Sequence, residues 1–176
     1  MADGQMDIYS PEHFKALAHP TRQRLLFALD QPATVSQLAV TIGSHKGNIA
    51  HHLKVLREAG LIVSAGTRQV RGGTEQYYQR AARIFRFTGE HSTANLPITF
   101  RAIADEIAAA APDPFLVLRN IRLTGAQAEH ITATLTGLAH DTEEAGEDQP
   151  RYGLLLGLYR QADRPPAELP PHESQS

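Results

Sequence analysis

Three of the chain's nine histidines fall within HKGNIAHHLKVLREAGL, residues 45 to 61, and two of them, His51 and His52, are adjacent. Imidazole can ligate a metal, move a proton or donate a hydrogen bond to a base or phosphate. Spacing decides among these. Neighbours on a helix point about 100° apart, whereas helical chelation uses positions i and i+3 or i+4. His51 and His52 therefore cannot hold one metal together, and His45 is badly placed for either. The same stretch offers Lys46, Gly47, Asn48, His51 and Lys54 on one side of a helix and Ile49, Leu53 and Leu56 on the other. Asparagine can pair bidentately with adenine, and lysine or histidine can donate to guanine or phosphate. His51 is expected on the polar side. His52 is expected to be half-buried, with one ring nitrogen hydrogen-bonded.

Other chemistry is poorly served. The chain has no cysteine, so disulfides, thiolate metal sites and cysteine nucleophiles are excluded. It has no phosphate-binding GxxxxGK[ST] loop, no GxSxG elbow and no HExxH pair. GSHKG, residues 43 to 47, only superficially resembles a glycine-flanked serine; Ser44 is expected to cap a helix there. Asp105 and Glu106 are neighbours on a helix and point apart, which makes them poor acid and base partners. No catalytic residue, metal ligand or cofactor is expected.

The elements that would position the polar face are legible on either side. Ser10-Pro11 reads as an N-cap with proline at the first helical position, and Phe14, Leu17 and Ala18 give that helix its apolar side. His19-Pro20 interrupts it, because the residue before proline is pushed out of helical conformation. A second helix runs from Pro20 to about Asp30, with Leu25, Leu26 and Leu29 inward. Thr34 and Gln37 have capping-box spacing. They open a third helix with Val35, Leu38, Ala39 and Ile42 buried, which Gly43 ends. The fourth helix begins at Ser44 or His45 and stops at Gly60. LIVSAG (61 to 66) and TEQYYQR (74 to 80) then read as two strands. TRQVRGG lies between them as a hairpin tip carrying Arg68 and Arg71.

Beyond the hairpin, Pro97 starts a helix with a Phe100, Ile103, Ala104 and Ile107 stripe. FLVLRNIRL (115 to 123) and YGLLLGLYR (152 to 160) read as strands. Between them Thr124 and Gln127 cap a helix striped by Ile131, Leu135 and Leu138. DTEEAGEDQP, residues 141 to 150, is an acidic loop. The fold class is mainly α with small β. Three regions are expected: a winged helix-turn-helix domain over 1–90, a helix and strand-helix-strand extension over 91–162, whose helix the resemblance described below makes a dimerisation helix, and a disordered tail over 163–176.

The net charge of -2 hides a division. From Lys15 to Phe87 eleven Lys or Arg face three acidic residues, a balance of +8, and the remainder carries -10. A basic block holding a helix-turn-helix and an arginine-bearing hairpin fits a polyanion. A two-helix motif of this kind can lay its second helix in the DNA major groove. The amino terminus MADGQMDIYS has neither a basic nor an apolar leader region, and no apolar run approaches the roughly 18 residues needed to span a bilayer. No membrane partner and a cytoplasmic location are therefore expected.

ALAHPTRQRLL (16 to 26), SQLAVTIGSHKGNIAHHLKVLREAGLI (36 to 62) and the hairpin to Tyr78 resemble the ArsR/SmtB family of bacterial winged-helix repressors. The resemblance covers residues 10 to 87. It implies a homodimer on a near-palindromic operator of double-stranded DNA, repressing transcription until an unidentified inducer, such as a small-molecule effector, releases it. It implies dimer contacts from residues 11 to 18 and about 97 to 110. DNA contacts would come from His45, Lys46, Gly47, Asn48, His51 and Lys54 on the helix and Arg68 and Arg71 on the wing. Metal-sensing members carry a cysteine-bearing stretch where this chain has QLAVTIG, with Ala39 and Thr41. Others place paired Asp/His and His/Glu ligands on the dimer helix, where RAIADEIAAAA has no histidine. Residues 115 to 160 exceed the smallest members and either extend the dimer interface or form an effector pocket. The alternative is a winged-helix module that binds protein rather than DNA. Acidic residues on the helix and hairpin would mark that module, and the +8 balance opposes it.

Overall fold

The computed structural model describes residues 4–89, 96–109, 114–146 and 148–162. The tail expected to be disordered, 163–176, lies outside the described residues. Two compact units are formed, Met1–Leu116 and Val117–Ser176.

In the first unit the chain runs β1 (Gln5–Ile8), α1 (Pro11–Leu17), α2 (Pro20–Ala28), β2 (Ala33–Thr34), α3 (Val35–Ile42), α4 (Lys46–Glu58), β3 (Ile62–Val70), β4 (Gly73–Arg80), β5 (Ile84–Phe87) and α5 (Leu96–Ala109). The local rules explain the boundaries. Ser10 Oγ accepts from the His13 backbone N–H at 3.1 Å, with Pro11 as the first helical residue. The HPTR segment stitches α1 to α2. His19 Nδ1 accepts from the Thr21 N–H at 3.1 Å and so caps α2. The Arg22 guanidinium donates to the carbonyls of Ala16 and Lys15 at the open end of α1. The Thr34–Gln37 capping box forms in both directions.

Gly43 and Gly60 take left-handed φ values of 70° and 71°, which glycine adopts without steric cost. Each reversal is locked by a bond back into the preceding helix, Ser44 N–H to the Ala39 carbonyl and Leu61 N–H to the Leu56 carbonyl, both 2.9 Å. That pattern satisfies carbonyls that a helix end would otherwise leave orphaned.

The core gathers the inner faces of these helices around Leu25, Leu29, Leu38, Ile49, Leu56 and Leu61, all essentially without exposure. On α1 the third apolar contact is Ala16 rather than Ala18, which is exposed. On α5 the buried residues are Thr99 and Ala102, while Phe100 and Ala104 of the expected stripe are exposed. Buried Gln23 meets this face of α5. Its amide donates to the Leu17 carbonyl and to Thr99 Oγ1, each at 3.0 Å. Those bonds satisfy buried amide donors, and the Phe100 ring stays 51% exposed.

Three strands form a sheet in the order β2-β4-β3, with the wing hairpin antiparallel. Its strands are longer than expected, and the tip shrinks to Arg71 and Gly72 between Val70 and Gly73. Gly72 has φ of 103°, a conformation that resists an L side chain. A bulge between Ser64 and Gly66 bends the hairpin. β1 and β5 pair in parallel, an element with no forerunner in the sequence reading, and Arg86 grips Asp7 with two bonds of 2.9 and 2.7 Å. That guanidinium holds the Asp7 carboxyl below its usual range.

The second unit contains α6 (Gly125–Asp141), opened by the expected Thr124–Gln127 capping box. The flanking segments 115–123 and 152–160, expected as strands, pair with no ladder among the described residues. Their apolar character is present, but a strand exists only where a second backbone accepts and donates.

Candidate nucleic-acid interface

α4 is held by one face and open on the other. Ile49, His52, Leu53 and Leu56 are buried. His45, Lys46, Gly47, Asn48, Ala50, His51 and Lys54 are all exposed. At roughly 1.5–3 kcal/mol for each fully buried aliphatic side chain, the anchor is strong enough to fix the helix without help from its outer residues. β2 ties this motif to the wing, because Thr34, which caps α3, also pairs with Tyr77 of β4.

The start of α4 has no side-chain cap. Ser44, expected to cap, instead accepts from Asn48 Nδ2 at 2.9 Å. A helix start without a cap presents backbone N–H groups outward, and such groups favour anions. Asn48 still has its second amide N–H and its carbonyl oxygen, the pair that bidentate contact with adenine needs. An added Cβ at Gly47 would meet nothing within 4 Å, so the fold itself does not require glycine there. Its cost of about 1 kcal/mol against alanine has no return inside the protein, which favours close approach by something outside.

On the wing, Arg71 stands in the tight turn, while Arg68 lies within β3 directly opposite Glu75. Cross-strand neighbours of opposite charge attract, so Arg71 is the wing's less compensated cation. Lys54 likewise has a partner one turn on, Glu58 at 3.8 Å. Arg57, exposed near the end of the same helix, was missed by sequence reasoning. Eleven residues after Lys46, it returns to nearly the same azimuth, and that spacing was the available signal.

His52 is deeper than expected, 6% exposed, and its Nδ1 finds no hydrogen-bond partner. Its ring lies 4.6 Å from that of His19 and 5.6 Å from that of His51. Burial, first, and then the charges of His19, Arg22 and His51 lower its pKa from 6.5. Burial and Arg22 lower that of His19. A histidine with a depressed folded pKa binds fewer protons folded than unfolded, so stability is intact above about pH 6.5 and falls as pH drops below it. Thermal melts at pH 7.5 and 5.5 should therefore show a lower Tm at 5.5, and His52→Leu should flatten the difference. An unchanged Tm in the wild-type chain would show that this pair is not kept neutral by the fold.

Residues 17–65 match the model of a helix-turn-helix domain. Over 59 residues the chain is 46% identical to the HTH-type transcriptional regulator CmtR of Mycobacterium bovis and of Mycobacterium tuberculosis, a match covering 32% of this chain and 50% of the relative. The chain carries a helix-turn-helix domain similar to that of these transcriptional regulators. It spans about half the length of the curated relatives it matches. Solved structures similar to it include that of Rv0081 from M. tuberculosis, at 28% identity and TM-score 0.34 over 55% of this chain and 85% of that one. Another is the NMR structure of the cadmium metal-sensor CMTR from M. tuberculosis, at 26% identity and TM-score 0.33 over 62% and 100%. The matched residues include α3 and α4, and the β3–β4 hairpin follows directly after them.

Proposed function

We propose that this protein is an ArsR/SmtB-type, sequence-specific DNA-binding transcriptional regulator, working as a cytoplasmic homodimer on a near-palindromic operator. The observation that carries the reading is the division of α4, buried on Ile49, His52, Leu53 and Leu56 and bare on Lys46, Gly47, Asn48, His51 and Lys54. Such a helix can enter the major groove while the wing reaches the flanking backbone or minor groove. Asn48, with Lys46 and His51, reads base edges. Gly47 admits the sugar-phosphate backbone, His45 and Lys54 contact phosphate, and Arg68 and Arg71 reach phosphate or a narrow minor groove. Two such helices in a dimer would lie about 34–36 Å apart, one turn of DNA. Repression relieved by an inducer is the regulatory mode that fits the family.

The chain has no cysteine, and the described residues hold no group of three or more His, Asp or Glu able to share a metal. This donor set does not favour the cadmium response named for the mycobacterial relative. The open apolar hollow between α2 and α5, about 220 Å³ and lined by Pro20, Ile98 and Ala102, is smaller than the roughly 300–1,000 Å³ of most ligand sites. No catalytic role is proposed, and no helix among the described residues is long and apolar enough to cross a membrane.

Gel shifts of the full chain on its own upstream region test the reading. Asn48→Ala should cost about 1–3 kcal/mol on the operator and little on random duplex. Equal loss on both would show that Asn48 does not read bases. No shift on any duplex at low salt would overturn DNA binding and favour the protein-binding module.

A further inference from the structure

The Ser44 hydroxyl, which does not cap α4, is spent on Asn48. Ser44 is half-buried and Asn48 is exposed, and Ser44 Oγ accepts from Asn48 Nδ2 at 2.9 Å. The serine is fixed from behind. Its N–H donates to the Ala39 carbonyl at 2.9 Å, and Gly43 before it turns the chain with φ of 70°. The bond therefore runs from the closed end of α3 to the open face of α4. An asparagine amide on a surface turns freely about a broad terminal torsion. Here one orientation is held before any ligand arrives, so less freedom is lost on binding.

The orientation decides what the amide offers. An asparagine side chain has two N–H donors and one carbonyl acceptor. With one N–H committed to Ser44, a single donor and the acceptor face outward. In the major groove adenine presents an acceptor, N7, and a donor, the N6 amino group, whereas guanine presents two acceptors, N7 and O6. The held amide matches adenine. A free amide can turn both N–H groups toward guanine instead. Lys46 and Lys54, exposed on the same helix, carry donors only and cannot make this distinction.

We infer that Ser44 is a positioning residue for base recognition. By holding one N–H of Asn48, it makes α4 accept adenine and reject guanine at the base pair that Asn48 meets. The inference rests on the major-groove reading above and adds to it the residue that sets the choice of base.

Fluorescence anisotropy of the full chain tests it, on the upstream duplex and on copies in which each A·T pair is replaced in turn by G·C. The pair read by Asn48 is the one whose replacement weakens wild type but not Asn48→Ala. At that pair Ser44→Ala should shrink the preference for A·T about tenfold, the scale of one bidentate contact. Ser44→Thr, which keeps the hydroxyl, should restore most of it. Binding to random duplex and Tm should move little in either variant. Added to Asn48→Ala, the Ser44→Ala change should have no further effect on the preference. A loss spread evenly over all duplexes would make Ser44 a structural residue and overturn the inference. So would an unchanged preference in Ser44→Ala, or a wild-type preference for G·C at that pair, and each of these leaves the DNA reading standing. A wild-type chain that binds no duplex would remove that reading itself, and the inference with it.

Discussion

Leu53→Ala should cost about 2–5 kcal/mol of stability and remove DNA binding with it. Leu53 is 2% exposed and sits between Ile49 and Leu56 on the buried face of α4, in the one core that the helices of the first unit share. Truncation loses the transfer of the removed atoms and leaves a cavity that the rest of this core, fixed by its own elements, closes only in part. For a unit of about 100 residues, each kcal/mol lowers Tm by roughly 4–8 °C, so the variant should melt many degrees below the wild type. His51→Ala, on the exposed face of the same helix, should change stability by no more than about 0.5 kcal/mol. Urea denaturation of the two variants checks both numbers. A Leu53→Ala loss below about 1 kcal/mol would mean that α4 is not anchored by this face, and the assignment of its outer residues to DNA would lose its support.

The contrast between Leu53 and His51 was legible in the sequence because helical periodicity depends on the chain alone. So were the turns at Gly43 and Gly60 and both capping boxes, Thr34–Gln37 and Thr124–Gln127, since each is closed by residues within a few positions. What was not legible depends on partners distant in sequence. β1 and β5 are held by a parallel ladder and by Asp7–Arg86, which are 79 residues apart. The inward face of α5 is met by Gln23, 76 residues before Thr99. Periodicity gave the Phe100 stripe but not which residues face the core, where Thr99 meets the buried amide of Gln23. The wing's true length was obscured by Thr67, Arg68 and Gln69, which are polar in composition yet lie in β3 because both faces there are open to solvent.

The same distinction applies to the histidines. That His51 and His52 diverge follows from helix geometry. That His52 meets His19 requires the three-dimensional packing of α4 against the start of α2. His52 of α4 and His19 of the HPTR turn, both with lowered pKa beside the Arg22 guanidinium, join α4 to the start of α2. The candidate site is thus two layers: a polar surface readable as a pattern, and a support whose partners only the fold brings together.

Raising salt from 50 to 200 mM should weaken operator binding about 10⁴-fold. A dimer neutralising roughly 8 phosphates gives a log–log slope near about -7, and the cations available per copy support such a number. Lys46, Lys54 and Arg57 are exposed on α4, and Arg68 and Arg71 on the wing. They are not equivalent. Lys54 must leave Glu58, and Arg68 faces Glu75 across the ladder, so part of their attraction to phosphate is already spent within the protein. Arg71, in the turn with no acidic residue opposite, should contribute most per charge. Arg71→Ala should therefore lower affinity on operator and random duplex alike, and make the slope shallower by about two for the dimer, one phosphate per copy. Arg68→Ala should change the slope less. Fluorescence anisotropy titrations over a range of potassium chloride concentrations give all three slopes. An unchanged slope in Arg71→Ala would place the wing tip off the DNA, and a larger effect at Arg68 would mean that Glu75 turns away from it when the duplex is bound.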